Sequence, residues 1–157
     1  MSSEPRLRMR NISKSFGGVH ALRDVTVEAH AGEVHALCGE NGAGKSTLMK
    51  ILAGAITDYG GSIELDGKHM AFKGPRDAED AGIRIIYQEL NLVPDLSVAD
   101  NISIAAPPRR FGLIDAKAQR QRAEALLAEI GCEDVNPLMR VRDLPLSRRQ
   151  MVEIAKA

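Results

Sequence analysis

Apolar and basic side chains alternate along residues 7–12 (LRMRNI), the pattern of a strand with one buried face. The alternation resumes at Leu22 and runs to residue 28, after the Gly17-Gly18 break. Ala31-Gly32 marks a turn into a third predicted strand, residues 33–38 (EVHALC). A fourth, residues 62–65 (SIEL), runs into the turn Asp66-Gly67. These predict a small antiparallel layer in the N-terminal part. An isoleucine-rich strand is predicted at residues 83–87 (IRIIY). Helical spacing takes over elsewhere. Residues 45–53 carry Leu48, Ile51 and Leu52 on one face and stop at Gly54. Residues 75–81 start on Pro75 and stop at Gly82. A short helix is predicted from Ser97 to about residue 105. Residues 116–130 form the clearest helix, with Leu126, Leu127 and Ile130 apolar and Gly131 as the stop. The last begins near Ser147 and still repeats its apolar face at Ala157, so the chain reads as the N-terminal piece of a longer protein.

Composition narrows the function. The 157 residues suit one domain, and 44% apolar with 27% charged is a globular balance. Lys+Arg and Asp+Glu are 21 each, so bulk charge gives no reason to expect nucleic acid as a partner. Aromatic residues are 3% and Trp is absent, too few for a base-stacking surface. No apolar run has membrane-spanning length, and the first ten residues hold no signal-peptide core. Cys38 and Cys132 stand apart, which favours neither a zinc site nor a disulfide framework and fits a reducing cytosol. Cys38 reads as a small buried strand residue.

The chemistry is concentrated in Gly39-Glu40-Asn41-Gly42-Ala43-Gly44-Lys45-Ser46, which fits G-x-x-x-x-G-K-[ST]. Glycines let successive N–H groups turn inward as an anion nest. Lys45 brings a point charge to β- and γ-phosphates, the Ser46 hydroxyl suits Mg²⁺, and the Thr47 hydroxyl can reach a phosphate oxygen. The following helix aims its positive end at the same place. An apolar strand leading in and an amphipathic helix leading out are the context such a loop requires. Without them it would be a glycine-rich turn with an incidental lysine.

The run GENGAGKSTLMKILAG resembles the ATPase subunit of ABC transporters, and the resemblance extends over essentially all 157 residues. The segments IRIIYQELNLVPDLSVADNI and QMVEIAKA resemble the branch that energises bacterial uptake of monosaccharides such as ribose, xylose and galactose. It implies an α/β fold of the P-loop NTPase type with an antiparallel N-terminal layer. Residues 1–94 would hold the nucleotide-binding core and residues 95–157 a partial helical subdomain that stops before the Walker B strand. It implies ATP and Mg²⁺ as ligands, with Gly39, Asn41, Gly42, Gly44, Lys45, Ser46 and Thr47 around the phosphates. Phe16, 29 residues before Lys45, would stack on adenine; by its residue type alone it reads as a plug in the small sheet. Gln88 would be the Q-loop glutamine, touching Mg²⁺ and the γ-phosphate, and residues 89–95 would face the membrane subunit. Without the resemblance Gln88 is a surface residue leaving a strand. Lys45 and Gln88 are thus the expected catalytic residues, and Ser46 and Gln88 the expected metal ligands. Tyr59 and Tyr87 match no such role.

Two family elements are altered or missing. Leu144-Pro145-Leu146-Ser147-Arg148 occupies the position of the family signature Leu-Ser-x-Gly-Gln, with Pro145 in place of its serine. Proline offers neither hydroxyl nor N–H to a facing γ-phosphate. Ser147 is left as a helix cap, and Arg148 and Arg149 as either phosphate attractors or solvated charges. No run of four apolar residues followed by Asp-Glu occurs, so the family's catalytic carboxylate has no counterpart here, and Glu89 does not supply it. The resemblance implies an ATPase coupled to sugar import. Its partners would be a transmembrane permease, a second ATPase domain and, indirectly, a periplasmic or extracellular sugar-binding protein. It would sit in the cytoplasm, on the inner face of the membrane. The alternative is a nucleotide-binding module without hydrolysis of its own. An ABC ATPase acting on DNA or ribosomes is disfavoured by the sugar-branch segments and the neutral charge.

Overall fold

The N-terminal alternation becomes a four-stranded antiparallel sheet in the computed structural model, which describes residues 4–87 and 89–157. Strands β1 (Leu7–Phe16), β2 (Val19–Ala29), β3 (Gly60–Leu65) and β4 (Lys68–Met70) lie in the order β2-β1-β3-β4. The chain divides into two compact units, Met1–Arg84 and Ile85–Ala157.

β1 does not keep one phase. Between Met9 and Ile12 it carries one residue more than β2, and between Arg10 and Ser13 one more than β3. This bulge has Asn11 in the left-handed region at φ 51°. The buried positions therefore pass from odd to even numbers: Met9, then Ile12 and Lys14. Opposite the bulge stands Gly61, at φ 98°. A Cβ there would lie 2.3 Å from the Arg10 carbonyl oxygen, so only glycine fits.

Helix α1 (Lys45–Leu52) buries Leu48 and Ile51 against Met9, Ile12 and Ile63 of the sheet. Full burial of two such side chains stabilises by about 1.5–3 kcal/mol each. The helix ends through Ala53, whose N–H bonds the Met49 carbonyl, and Gly54 follows at φ 69°. Helix α2 (Pro75–Asp80) adds Ala78 to the same core.

Two expected strands do not form. Residues 33–38 and 83–87 have no ladder partner among the described residues. Val34 is fully exposed, Cys38 is exposed and not buried, and Ile86 and Tyr87 project to solvent. The reason is physical: an apolar run qualifies a segment for a sheet, but the strand exists only when a neighbour takes its N–H and C=O groups.

The second unit is helical. α3 (Val98–Ser103), α4 (Ala116–Glu129) and α5 (Leu146–Lys156) enclose a core of Val98, Ala123, Leu127, Val141 and Val152. Ser97 starts α3 with a capping box: its Oγ accepts from the Asp100 N–H at 3.1 Å, and its own N–H donates to Asp100 Oδ2 at 3.2 Å. Asp115 caps α4 by accepting from the Ala118 N–H at 3.0 Å. A short hairpin, β5 (Arg109–Arg110) and β6 (Leu113–Ile114), follows Pro107-Pro108. Its turn residues Phe111 and Gly112 both have positive φ.

Candidate functional site

The phosphate loop leads directly into α1. Gly44 is the residue before the helix, at φ 86°, and no side chain caps the helix start; no acidic residue lies in its first turn. The first amides of α1 are thus left to an anion. Gly42 also sits in the left-handed region, at φ 88°. Gly44 has a second constraint. A Cβ there would meet the Ala21 carbonyl oxygen at 2.4 Å and Leu22 Cδ2 at 2.7 Å, so the loop is wedged against β2.

Lys45 folds back over its own loop. Its Nζ donates to the carbonyl oxygens of Gly39 at 2.6 Å and Glu40 at 2.7 Å. A cation parked on two weak acceptors, beside an uncapped helix start, is a donor set that fits a phosphate chain. Ser46 and Thr47 lie in the first turn of α1. Asn41 lies in the loop, exposed, with Ala43 N–H bonding the Glu40 carbonyl at 3.2 Å beside it.

Phe16 ends β1 and pairs with Val19 across the Gly17-Gly18 turn. Ala21, against which Gly44 is wedged, is two residues farther along β2, about 7 Å by strand rise. The β1–β2 turn and the phosphate loop are therefore neighbours in one unit. Phe16 is 49% exposed, which rules out a plug in the sheet core. Its ring carries a feature that the sequence did not announce: Lys14 Nζ lies over it, 5.0 Å from the centroid. Lys14 is only 8% exposed and donates to Asp58 Oδ2 at 2.5 Å and to the Asp58 carbonyl oxygen at 2.7 Å. The hydrogen bond and the charge of Lys14 hold the Asp58 carboxyl below the usual aspartate range. The one available signal was a lysine in the apolar phase of β1, visible only once the bulge is known.

Gln88 lies outside the described residues. Farther along, the segment expected to face a membrane subunit is anchored in the second unit. Fully buried Asn101 accepts from the Val93 N–H at 2.7 Å and donates to the carbonyls of Val93 at 3.0 Å and Ser97 at 2.9 Å. Lys156 Nζ donates to the Asn91 carbonyl at 2.7 Å, and Arg142 pairs with Asp95 at 2.6 Å.

At the altered signature, α5 begins at Leu146 with Pro145 as its cap residue, φ −65° and ψ 155°. Ser147 is therefore inside the first turn and caps nothing: proline's fixed φ already suits the position before the turn. Both arginines have partners within the chain. Arg148 pairs with Asp134 at 2.8 Å, and Arg149 donates to the carbonyls of Leu144 and Arg142, both at 2.8 Å. They brace the start of α5.

Among the described residues no three His, Cys, Asp or Glu side chains form a metal-binding group, and no helix is long and apolar enough to cross a membrane. Comparison with known proteins agrees with the geometry of the loop. Residues 22–157 match the ABC transporter family. The chain is 56% identical over 155 residues to a ribose import ATP-binding protein, RbsA 1, of Rhizobium etli, covering 99% of this chain and 30% of the relative. It is 54% identical over 154 residues to RbsA 2 of Streptomyces avermitilis, covering 98% and 30%. It thus spans about 30% of the length of these curated relatives. A nucleotide-free ATP-binding cassette from an ABC transporter superposes with TM-score 0.83 at 24% identity, over 98% of this chain and 64% of the other. The ADP conformation of another such cassette gives 0.82 at 23%, over 98% and 64%. At that identity the structures speak for the fold alone.

Proposed function

Because the chain belongs to the ABC transporter family, we propose that it is the nucleotide-binding end of an ATPase that drives sugar import across a cell membrane. The observation that carries this is the loop at residues 39–46: wedged on β2 through Gly44, opening an uncapped helix, and crossed by Lys45. The ribose import named for the relatives supports a monosaccharide as cargo of the whole protein.

The chain's own residues would act as follows. Phe16 stacks on adenine and sets the register of the nucleotide. The backbone from Gly39 through Gly44, with the amides of Lys45, Ser46 and Thr47, cradles the phosphates. Lys45 leaves the Gly39 and Glu40 carbonyls for the β- and γ-phosphate oxygens and offsets the charge that develops as the β–γ anhydride bond breaks. Ser46 and Gln88 would hold Mg²⁺, which would supply further positive charge to the phosphates when bound. No carboxylate in this chain matches the base that would orient the attacking water, so the chain supplies the substrate-holding half of the reaction. Residues 1–94 are read as core and antiparallel layer and residues 95–157 as helical subdomain. The whole protein would face a second ATPase domain, dock on a permease through residues 89–95, and lie on the inner face of the membrane. A sugar-binding protein outside would deliver the cargo. The runner-up is a binding module that holds the nucleotide without turnover.

The test is ATP and tripolyphosphate binding to wild type and Lys45→Ala, followed by sugar-stimulated ATPase of the reconstituted full-length transporter. Binding that depends on Lys45 and turnover that responds to sugar support the reading. Turnover that ignores every sugar would leave the binding module.

A further inference from the structure

We propose that Lys14 is a positioning residue for the adenine platform. Its ammonium, clamped by Asp58, lies under one face of Phe16 and fixes the ring so that adenine stacks on the other. The proposal rests on the reading of Phe16 as that platform.

The first observation is burial. Lys14 is 8% exposed, packed in a sheet where its phase-mate is Ile12 and its ladder partner is Leu22. A buried ammonium is costly unless paired, and an apolar residue of similar length would fill the space without that cost. What the charge gains here is two oxygens of Asp58 and one aromatic face, at 2.5, 2.7 and 5.0 Å. The second is register. Lys14 and Phe16 are two residues apart on one strand, the spacing that points side chains the same way. The bulge at Asn11 puts both in the phase of Ile12. The third is location. Leu22, opposite Lys14, is one of the two residues against which Gly44 is wedged, so the clamp lies beside the phosphate loop.

The physics gives the clamp two effects. A cation over an aromatic face is attracted by the ring's quadrupole, which holds a half-exposed Phe in one orientation. It also draws π density toward itself, which lowers the repulsion between the opposite face and the π cloud of a stacked base. Asp58 lies between α1 and β3, so it ties the platform to the helix that follows the phosphate loop. The carboxyl is held ionised by the same lysine.

The experiment titrates this chain with ATP and with tripolyphosphate, in wild type, Phe16→Ala, Lys14→Met, Lys14→Arg and the Phe16→Ala/Lys14→Met double variant. Circular dichroism and urea unfolding confirm that each is folded. Phe16→Ala should weaken ATP about five- to 150-fold and leave tripolyphosphate unchanged. Lys14→Met should weaken ATP about two- to thirtyfold, again sparing tripolyphosphate. In the Phe16→Ala background Lys14→Met should add nothing, because its effect passes through the ring. Lys14→Arg should retain most of the ATP affinity. If Lys14→Met proves unstable, Asp58→Asn, which leaves the main-chain carbonyl contact, should show a smaller loss of the same selectivity. The proposal is overturned if Phe16→Ala is selective while Lys14→Met leaves ATP affinity unchanged, weakens both ligands equally, or acts additively in the double variant. If Phe16→Ala weakens both ligands equally, or no nucleotide binds, the platform reading itself fails and Lys14 falls with it.

Discussion

Gly42 and Gly44 offer a matched pair for testing how the phosphate loop is held. Both have positive φ, 88° and 86°. Alanine at either position suffers the left-handed penalty, about 1–2 kcal/mol. They differ in space. A Cβ at Gly42 meets nothing within 4 Å, whereas one at Gly44 meets the Ala21 carbonyl oxygen at 2.4 Å and Leu22 Cδ2 at 2.7 Å. The carbonyl lies in β2 between the paired residues His20 and Leu22, so the loop or this irregular stretch of β2 must shift. Forced contacts of this kind cost about 1–3 kcal/mol. Gly42→Ala should therefore destabilise by about 1–2 kcal/mol, and Gly44→Ala by about 2–5 kcal/mol. Against a total of about 5–15 kcal/mol for an ordinary domain, the second is a large loss. Equilibrium urea unfolding followed by circular dichroism reads the difference, which should move the midpoint by about 1 M. Tripolyphosphate affinity should fall further for Gly44→Ala, since only that variant strains the loop against β2. Equal midpoints and equal affinities for the two variants would refute the wedge.

Three further outcomes follow from the contacts described above. Lys45→Ala in the full-length transporter should abolish sugar-stimulated ATP turnover while some nucleotide binding persists, since the backbone cradle remains; near-normal turnover would place the working site elsewhere. Asn101→Ala should cost about 3 kcal/mol, roughly 1 for each of its three hydrogen bonds, measured by urea unfolding. Asp58 contributes stability with a defined sign: its folded pKa lies below the usual aspartate value near 4, so the contribution is present above that value and is lost as pH falls through the lower, folded one. Wild type should therefore be more stable than Asp58→Asn at neutral pH, and the gap should close as pH falls below the usual aspartate range; a gap independent of pH would argue against the ion pair.

Local signals were legible where a single residue type carries them. Ser97, Gly54, Gly131, Pro75 and the loop at residues 39–46 each announce a helix boundary through cap or turn chemistry, and each boundary lies there. Apolar periodicity located β1, β2, β3 and the helices within a few residues. It failed at residues 33–38 and 83–87 because strand formation depends on a partner elsewhere in the chain, which no local pattern reports. It also missed β5 and β6: a Phe at positive φ is not turn chemistry a sequence advertises, and two-residue strands are too short to show a period. In the candidate site, the phosphate loop was readable from spacing, and Phe16 only through family resemblance. Lys14 and Asp58 were not readable, because they come together across 44 residues and only after the bulge has turned Lys14 inward.

The bulge at Asn11 acts on β1 as an inserted base acts on a reading frame. Everything after it is translated to the other side of the sheet, while everything before it is untouched. A deletion of one residue there would keep every side chain beyond it and still exchange their sides, sending Lys14 and Phe16 through the sheet to face the opposite way. Both neighbouring strands register the shift: β3 meets it at Ser13, and β2 regains its earlier register by Lys14 through an extra residue of its own. Gly61 is the other half of the same device, since any side chain there would close the space the extra residue occupies. Asn11 and Gly61 touch no proposed ligand. Yet they decide which side of the sheet Lys14 and Phe16 belong to.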